Sequence, residues 1–329
     1  MGVYHFSGLG LSPGAVTLPL STVYVLLVGA NVKGYREAKE FFKFSGEKEQ
    51  TKKGGPEAII IFTTKEIIGA GEGRAQLALR HNVRSNLFGK VFRARTPVVK
   101  VIAKYLSLMY DYLEEQGLEP FYDGKWIKHI YLVQVEHKDY NDAFTKIGVA
   151  MRGHIDKEVW VNMIAGTNQQ TIAMLNTGLF FGTATRYYYI FQYDETLLDS
   201  IYLKKEITEG VVERLLQQWS SLPIFFVGRY GFLMELLKRF RKYNNAIPGS
   251  VLKKDAREYE VKLEKLKGYL YYDDKKGLFR PTKELEHIIS LYREIFRENV
   301  RNHSEWKKWC IEKRILYELN LDGTVEPVT

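Results

Sequence analysis

Cysteine is almost absent: Cys310 is the only one in 329 residues. That excludes an intrachain disulfide and any zinc site built from cysteines, and it suits a reducing compartment. The seven histidines contain no pair at H-x3-H spacing, so no metal site is expected. The N-terminus lacks the basic, apolar and small-residue succession of a signal peptide, and no uninterrupted apolar run reaches about 18 residues. These absences lead to the expectation of a cytoplasmic protein with no membrane partner. Neither G-x-G-x-x-G nor a P-loop ending in Gly-Lys-Ser/Thr occurs, which disfavours both standard nucleotide fingerprints, and no cofactor is expected. Internal repeats and low-complexity segments are also missing.

What is present is an ordinary globular composition, 45% hydrophobic and 26% charged, with a formal net charge of +9. The length accommodates two domains. The basic excess is uneven, with 25 Lys and Arg against 19 Asp and Glu after residue 200. An anionic partner fits that balance, although a basic sequence is only a hint of one.

Strand and helix patterns alternate over residues 3–193. Val3–Phe6, Ala58–Phe62, Ile130–Val135, Val159–Ile164 and Arg186–Gln192 are short apolar or aromatic runs of the kind found in buried parallel strands. Pro97–Gln116 and Asn141–Arg152 carry helical spacing, as does the stretch from about residue 168 to Phe181, which Gly182 stops. Val16–Leu27 and Tyr35–Phe44 read as one long helix or two, although Leu20–Val28 suits a strand equally well. The fold class is therefore α/β, with a Rossmann-like, doubly wound and mostly parallel sheet.

After residue 202 helices take over, at Thr208–Trp219 and Tyr230–Tyr243, then from a Ser250 cap to Lys267, and from Thr282 toward Tyr317. Between the last two, Gly268–Arg280 places aromatic strands around an Asp-Asp-Lys-Lys-Gly turn, a hairpin signal. Helices followed by such a hairpin suggest a mainly helical winged helix-turn-helix. The expected division is 1–202 and 203–329.

Two turns carry the functional signal. Gly10-Leu11-Ser12-Pro13-Gly14-Ala15-Val16-Thr17 follows the first strand and leaves backbone N–H and hydroxyl groups bare. Asn162-Met-Ile-Ala-Gly166-Thr167-Asn168-Gln169-Gln170 ends another strand and opens a helix, with Thr167 or Asn168 as its cap. In an open α/β sheet, ligands bind beyond the carboxyl ends of such strands, where the helix dipole favours an anion. A second glycine cluster, Gly69–Gly73, lines the same site or simply connects elements.

On these two turns, with the tyrosine-rich stretch 186–191, residues 1 to about 202 resemble the CARF family, the Rossmann-like sensor domains of type III CRISPR systems. The layout as a whole is similar to archaeal ring nucleases that join CARF to a winged helix. The resemblance implies a two-fold homodimer that binds cyclic oligoadenylate, with cyclic tetra-adenylate as the expected ring. It also implies metal-free cleavage, in which a ribose 2′-hydroxyl attacks the adjacent phosphate and leaves a 2′,3′-cyclic phosphate. By motif, Ser12 and Asn168 become the catalytic candidates. Gly10, Leu11, Ser12, Pro13, Gly14, Gly166, Thr167, Asn168 and Gln169 become the ligand-binding set. The family often has Lys where this chain has Asn168, so Lys33, Arg152 and Arg186 are candidate replacements. Two alternatives stay open: a ligand-gated regulator that binds DNA through the C-terminal domain, and a ligand-activated ribonuclease using Arg297 and His303. The Arg-x5-His spacing of that pair reads more simply as a solvated helix face.

Overall fold

In the computed structural model, the described residues are 2–43, 45, 53–69, 77–84, 88–136, 138–190, 206–222, 229–259, 261, 263 and 269–329. The chain forms two compact units. One comprises Met1–Pro223 with Val300–Thr329, and the other comprises Ile224–Asn299.

The first unit is built on a parallel sheet of β1 (Val3–Gly8), β2 (Pro56–Thr63), β5 (His129–Gln134), β6 (Glu158–Asn162) and β7 (Ala184–Ile190). Their spatial order is β5-β2-β1-β6-β7, all parallel. β8 (Trp219–Ser221) closes one edge antiparallel to β7. On the other edge β12 (Leu316–Leu319) runs antiparallel to β5, and β13 (Val325–Pro327) runs antiparallel to β12. The central strands are nearly continuous apolar runs because both sheet faces are covered. On one side α1 (Gly14–Asn31) packs with α2 (Arg36–Phe42), α4 (Val98–Glu115) and α7 (Glu209–Gln218). On the other, α5 (Tyr140–Gly153) packs against α6 (Asn168–Phe181) and α11 (His303–Glu312). After β2 come α3 (Lys65–Ile68) and a two-stranded ribbon of β3 (Val83–Arg84) and β4 (Val91–Phe92).

The ambiguous stretch Leu20–Val28 is helical and wholly buried, so it has no polar face to mark a period. By length and a mean hydropathy of 1.5, α1 is the one described helix apolar enough to cross a membrane, yet most of it is buried in the core. Thr167 is the cap of α6. Its hydroxyl accepts from Gln170 N at 3.3 Å while Gln170 Oε1 accepts from Thr167 N at 2.9 Å, a reciprocal capping box. Gly182, left-handed at φ 64°, ends the helix.

The second unit contains α8 (Arg229–Lys242), β9 (Ile247–Pro248), α9 (Gly249–Glu258), β10 (Leu270–Asp273), β11 (Leu278–Pro281) and α10 (Lys283–Arg297). Its small antiparallel sheet has the order β10-β11-β9. Phe232, Leu236, Phe240, Ile247, Leu252, Leu270, Leu285 and Ile289 form its core. Arg239 grips the buried Asp255 through two bonds of 2.9 and 3.1 Å, tying α8 to α9.

Three expectations change. The helix from Thr282 toward Tyr317 is two helices and a strand: Asn299 is left-handed at φ 51°, and Asn302 caps α11 by accepting from Glu305 N at 2.9 Å. Residues 300–329 therefore belong to the first unit, with β12 extending its sheet, rather than to a C-terminal domain beginning at 203. The helix expected to run from a Ser250 cap begins at Gly249 after Pro248, and its described part ends at Glu258. Residues 264–268 lie outside the described residues, as do 70–73 of the glycine cluster and 191–192 of the tyrosine-rich strand.

Three imidazoles in the first unit make its stability depend on pH. His5 is buried between Trp160 and Tyr188, and burial, aided by Arg186, lowers it to about 3. His154 donates Nδ1–H to Ala150 O at 2.7 Å, so its Nε2 accepts from His303 Nδ1 at 2.8 Å. The pair sits among Tyr4, Phe6 and Trp306. Burial lowers His154 to about 3 and His303 to about 4, with Lys157 contributing to both. Folded-state values below the unfolded value mean that the unfolded chain binds more protons in acid. The stability is thus complete above about pH 6.5 and drains as pH falls. The urea midpoint is expected to fall between pH 6.5 and 5, with His5 and His154 each contributing about 1.4 kcal/mol per pH unit at most. A midpoint that stays constant over that interval would contradict the assignment.

Candidate functional site

The strand order reverses at β1, whose neighbours are β2 on one side and β6 on the other. That is the topological switch point, the place where open α/β sheets hold ligands in a crevice beyond the carboxyl ends of their strands. The two turns singled out in the sequence meet at it: Leu9–Pro13 leaves β1, and Met163–Thr167 leaves β6.

Their approach is backbone to backbone. A Cβ on Gly8 would lie 2.6 Å from Ala165 O and 2.7 Å from Gly166 Cα, so only glycine fits. Gly166 adopts φ 92°, a conformation side chains oppose. Beneath them, the buried Asn162 ties three segments together. Its Nδ2 donates to Ser7 Oγ at 3.1 Å and to Ala15 O at 2.8 Å, and its Oδ1 accepts from Ile164 N at 3.0 Å. β2 joins the frame because Leu9 N donates to Phe62 O and Thr63 Oγ1 donates to Leu9 O, each at 2.9 Å.

The rim faces solvent. Ser12, Gly14, Gly166 and Asn168 are exposed, Gly10, Leu11, Thr167 and Gln169 are half-buried, and Pro13 is buried as the residue preceding α1. The structure therefore brings the two expected turns together at the switch point, each leading into a helix on an opposite face of the sheet. Among the described residues, the N–H groups of Gly14, Asn168 and Gln169 have no acceptor. Neither α1 nor α6 carries an acidic residue in its first turn. The crevice thus presents two helix-dipole ends, bare amides and the hydroxyls of Ser12 and Thr167, a combination suited to an anion.

The three candidate cations do not belong to this crevice. Lys33 follows the C-terminus of α1, 18 residues long and so about 27 Å from its N-terminus. Arg152 lies in the last turn of α5, at the amino edge of the sheet beside Arg301 and Glu305. Arg186 is clamped between the rings of Trp160 and Phe41 at 4.2 and 4.4 Å and donates to Phe41 O at 3.2 Å. Burial lowers its pKa against the opposing influence of Glu158. It is a structural cation in mid-sheet. Tyr187 and Tyr188 are also structural, with Tyr188 stacked on Trp219 at 4.3 Å.

Sequence reasoning missed Gly8, Asn162 and Gln170 as site-building residues. Gln170 was legible as the fourth residue of Thr-x-x-Gln. The role of Asn162 was not legible locally, since the two bonds its Nδ2 donates reach residues 147 and 155 positions away. Among the described residues no group of three metal-ligating side chains occurs. His303 is held by His154 in the first unit, and Arg297 belongs to the second.

Gly8→Ala should destabilise the first unit by about 2 kcal/mol through overpacking. Gly10→Ala, which meets nothing within 4 Å, should stay within about 0.5 kcal/mol of the parent. Asn162→Ala should cost about 2–3 kcal/mol by leaving buried partners unpaired. Urea denaturation of the three variants checks this ordering. Equal stabilities for Gly8→Ala and Gly10→Ala would remove the close approach.

No known protein-family profile matches the chain. Among solved structures, Enterococcus italicus Csm6 bound to cyclic hexa-2′-fluoro-hexa-dAMP superposes with a TM-score of 0.32 at 11% identity, over 95% of this chain and 62% of that one. The chain thus spans less than two thirds of that structure. An uncharacterized protein of Archaeoglobus fulgidus is 42% identical over 234 residues, which is 68% of this chain and 69% of the relative. With that identity over more than two thirds of both proteins, the chain belongs to the family of the Archaeoglobus fulgidus protein.

Proposed function

We propose that the protein is a CARF-type ring nuclease that binds cyclic oligoadenylate, with cyclic tetra-adenylate as the first ligand to try, and opens it without a metal. The observation that carries this reading is the meeting of the two CARF-like turns at the switch point, where two acid-free helix N-termini share one crevice. Bare amides of Gly14, Asn168 and Gln169 suit phosphate oxygens, and the Thr167 hydroxyl proton is available because its oxygen only accepts from Gln170.

Cleavage in this reading is an internal transesterification. The ribose 2′-oxygen bonds to the adjacent phosphorus, and the bond from phosphorus to the 5′-oxygen breaks. The 2′-hydroxyl proton is lost, the leaving 5′-oxygen gains one, and a 2′,3′-cyclic phosphate remains. The protein need only hold the 2′-oxygen in line and stabilise the charge growing on the phosphorane. The exposed Ser12 hydroxyl is assigned the first task, and the bare amides with Asn168 the second. A two-fold dimer places two such crevices against a ring that has matching symmetry.

Incubation with cyclic tetra-adenylate and EDTA should yield linear products ending in 2′,3′-cyclic phosphate. Ser12→Ala should keep most of the affinity and slow cleavage at least about tenfold, or about 1.4 kcal/mol. Asn168→Ala should weaken binding by about 1 kcal/mol, whereas Asn168→Lys should tighten binding or speed cleavage. An intact ring that binds tightly would leave a sensor. A protein that runs as a monomer in light scattering with and without the ring would remove the dimer.

A second reading is favoured by the second unit. Tyr269, Tyr271 and Tyr272 are 44%, 51% and 44% exposed, beside Lys275 and Lys276 in the β10–β11 turn. Its strand order β10-β11-β9 is compatible with a winged helix. Exposed rings interleaved with cations suit nucleic acid, which supports a ring-gated DNA-binding regulator. Duplex DNA binding that appears only with cyclic tetra-adenylate, and weakens steeply with salt, would select this reading.

A further inference from the structure

The insertion between β2 and α4 has a charge pattern unlike any other part of the first unit. Residues 77–97 contain Arg80, Arg84, Lys90, Arg93 and Arg95 and no Asp or Glu. All five are exposed, and no acidic partner for them is found among the described residues.

Its described parts, 77–84 and 88–97, are nonetheless built firmly. Val83 and Phe92 pair across β3 and β4, with Phe92 buried and Val83 packed on the core, while their neighbours Arg84 and Val91 point outward. The arms are tied below by Leu79 N to Thr96 O and Arg95 N to Leu79 O, both 2.9 Å, and by Ala94 N to Asn82 Oδ1 at 2.8 Å. Arg95 is left-handed at φ 70°, so the closing turn is held in a conformation a free loop would abandon. The result is a ribbon with an apolar underside and a cationic outer face.

Its position follows from connectivity and contacts. The ribbon leaves β2 at the carboxyl edge of the sheet, where Thr63 already bonds the loop that follows β1. Phe88 lies 5.3 Å from the ring of Tyr105 in α4, whose hydroxyl is 2.9 Å from Ser21 in α1. Ser21 is seven residues into α1, about 10 Å along its axis from Gly14. The basic face and the amide-lined crevice therefore share one edge of one unit.

We propose that the ribbon formed by residues 77–84 and 88–97 is a phosphodiester-binding arm of the crevice, supplying through Arg84 and Arg93 the positive charge that the two turns lack. This rests on the oligoadenylate reading, and it answers the missing lysine at 168 from a different element. A ring or a short single strand held by amides at the turns would have its outward phosphates met by guanidinium groups, which pair with phosphate in a planar, two-pronged way.

The test uses the full-length chain carrying Arg84→Gln with Arg93→Gln, and a control with Lys33→Gln and Lys39→Gln that removes the same charge at the far end of α1. Each is titrated with cyclic tetra-adenylate and with linear tetra-adenylate RNA at 50 and 200 mM salt. The ribbon variant is expected to bind at least about tenfold more weakly at low salt, with a salt slope shallower by about 0.7 for each contact removed. The control should match the parent. Equal weakening in both variants would mean general charge only and overturn the proposal, as would unchanged binding in the ribbon variant. Binding of the linear strand alone, lost in the ribbon variant, would keep the arm and overturn the ring as its ligand. Binding of neither probe by the parent would overturn both. A crevice variant, Asn168→Ala, that loses the ring while the ribbon variant keeps it would overturn the arm alone.

Discussion

The contact between Gly8 and Gly166 is the constraint on which the rest of the first unit is arranged. Two loops leaving parallel strands must come within van der Waals distance of each other's backbone, and any side chain at Gly8 would occupy that space. Asn162 then locks the arrangement from below with three hydrogen bonds to β1, α1 and its own turn. These bonds are made in a dry setting, where an unpaired amide is expensive, so the turns have one defined geometry. The amides of α1 and α6 are aimed by that geometry rather than by a side chain of their own.

Charge is distributed by the same logic. The two turns hold dipoles and neutral donors, while Lys33, Arg152 and Arg186 lie elsewhere. Arg186 shows the contrast well. A guanidinium between Trp160 and Phe41 gains cation–π stabilisation but is taken out of water, and it serves packing in mid-sheet. The guanidinium groups of the ribbon are instead exposed to water.

The interruption between α10 and α11 has a comparable effect on architecture. Asn299 and Asn302 end one helix and begin another, and the chain returns to the first unit. There His303 completes a hydrogen-bonded imidazole pair with His154, in a cluster with Tyr4, Phe6 and Trp306, and β12 covers the edge of β5. The second unit is thus inserted between segments of the first, so the first unit's stability depends on residues more than 75 positions beyond the point where it is interrupted.

Much of this was determined by the sequence itself. Apolar runs of strand length gave β1, β2, β5, β6 and β7, and the alternation with helices gave a parallel sheet, because each signal lies within a few neighbouring residues. The two turns were legible for the same reason, as was the hairpin at 270–281. What lay beyond local signals was decided only in three dimensions. Leu20–Val28 has no period because all its sides are buried. The Thr282–Tyr317 stretch looked like one helix because its break depends on asparagine conformations that propensity barely registers. Lys33, Arg152 and Arg186 were equally plausible cations until strand direction put none of them at the crevice. The sequence determined which turns carry unpaired donors, and the tertiary structure alone decided that they meet, since strand order and long-range packing are not encoded in any short window of residues.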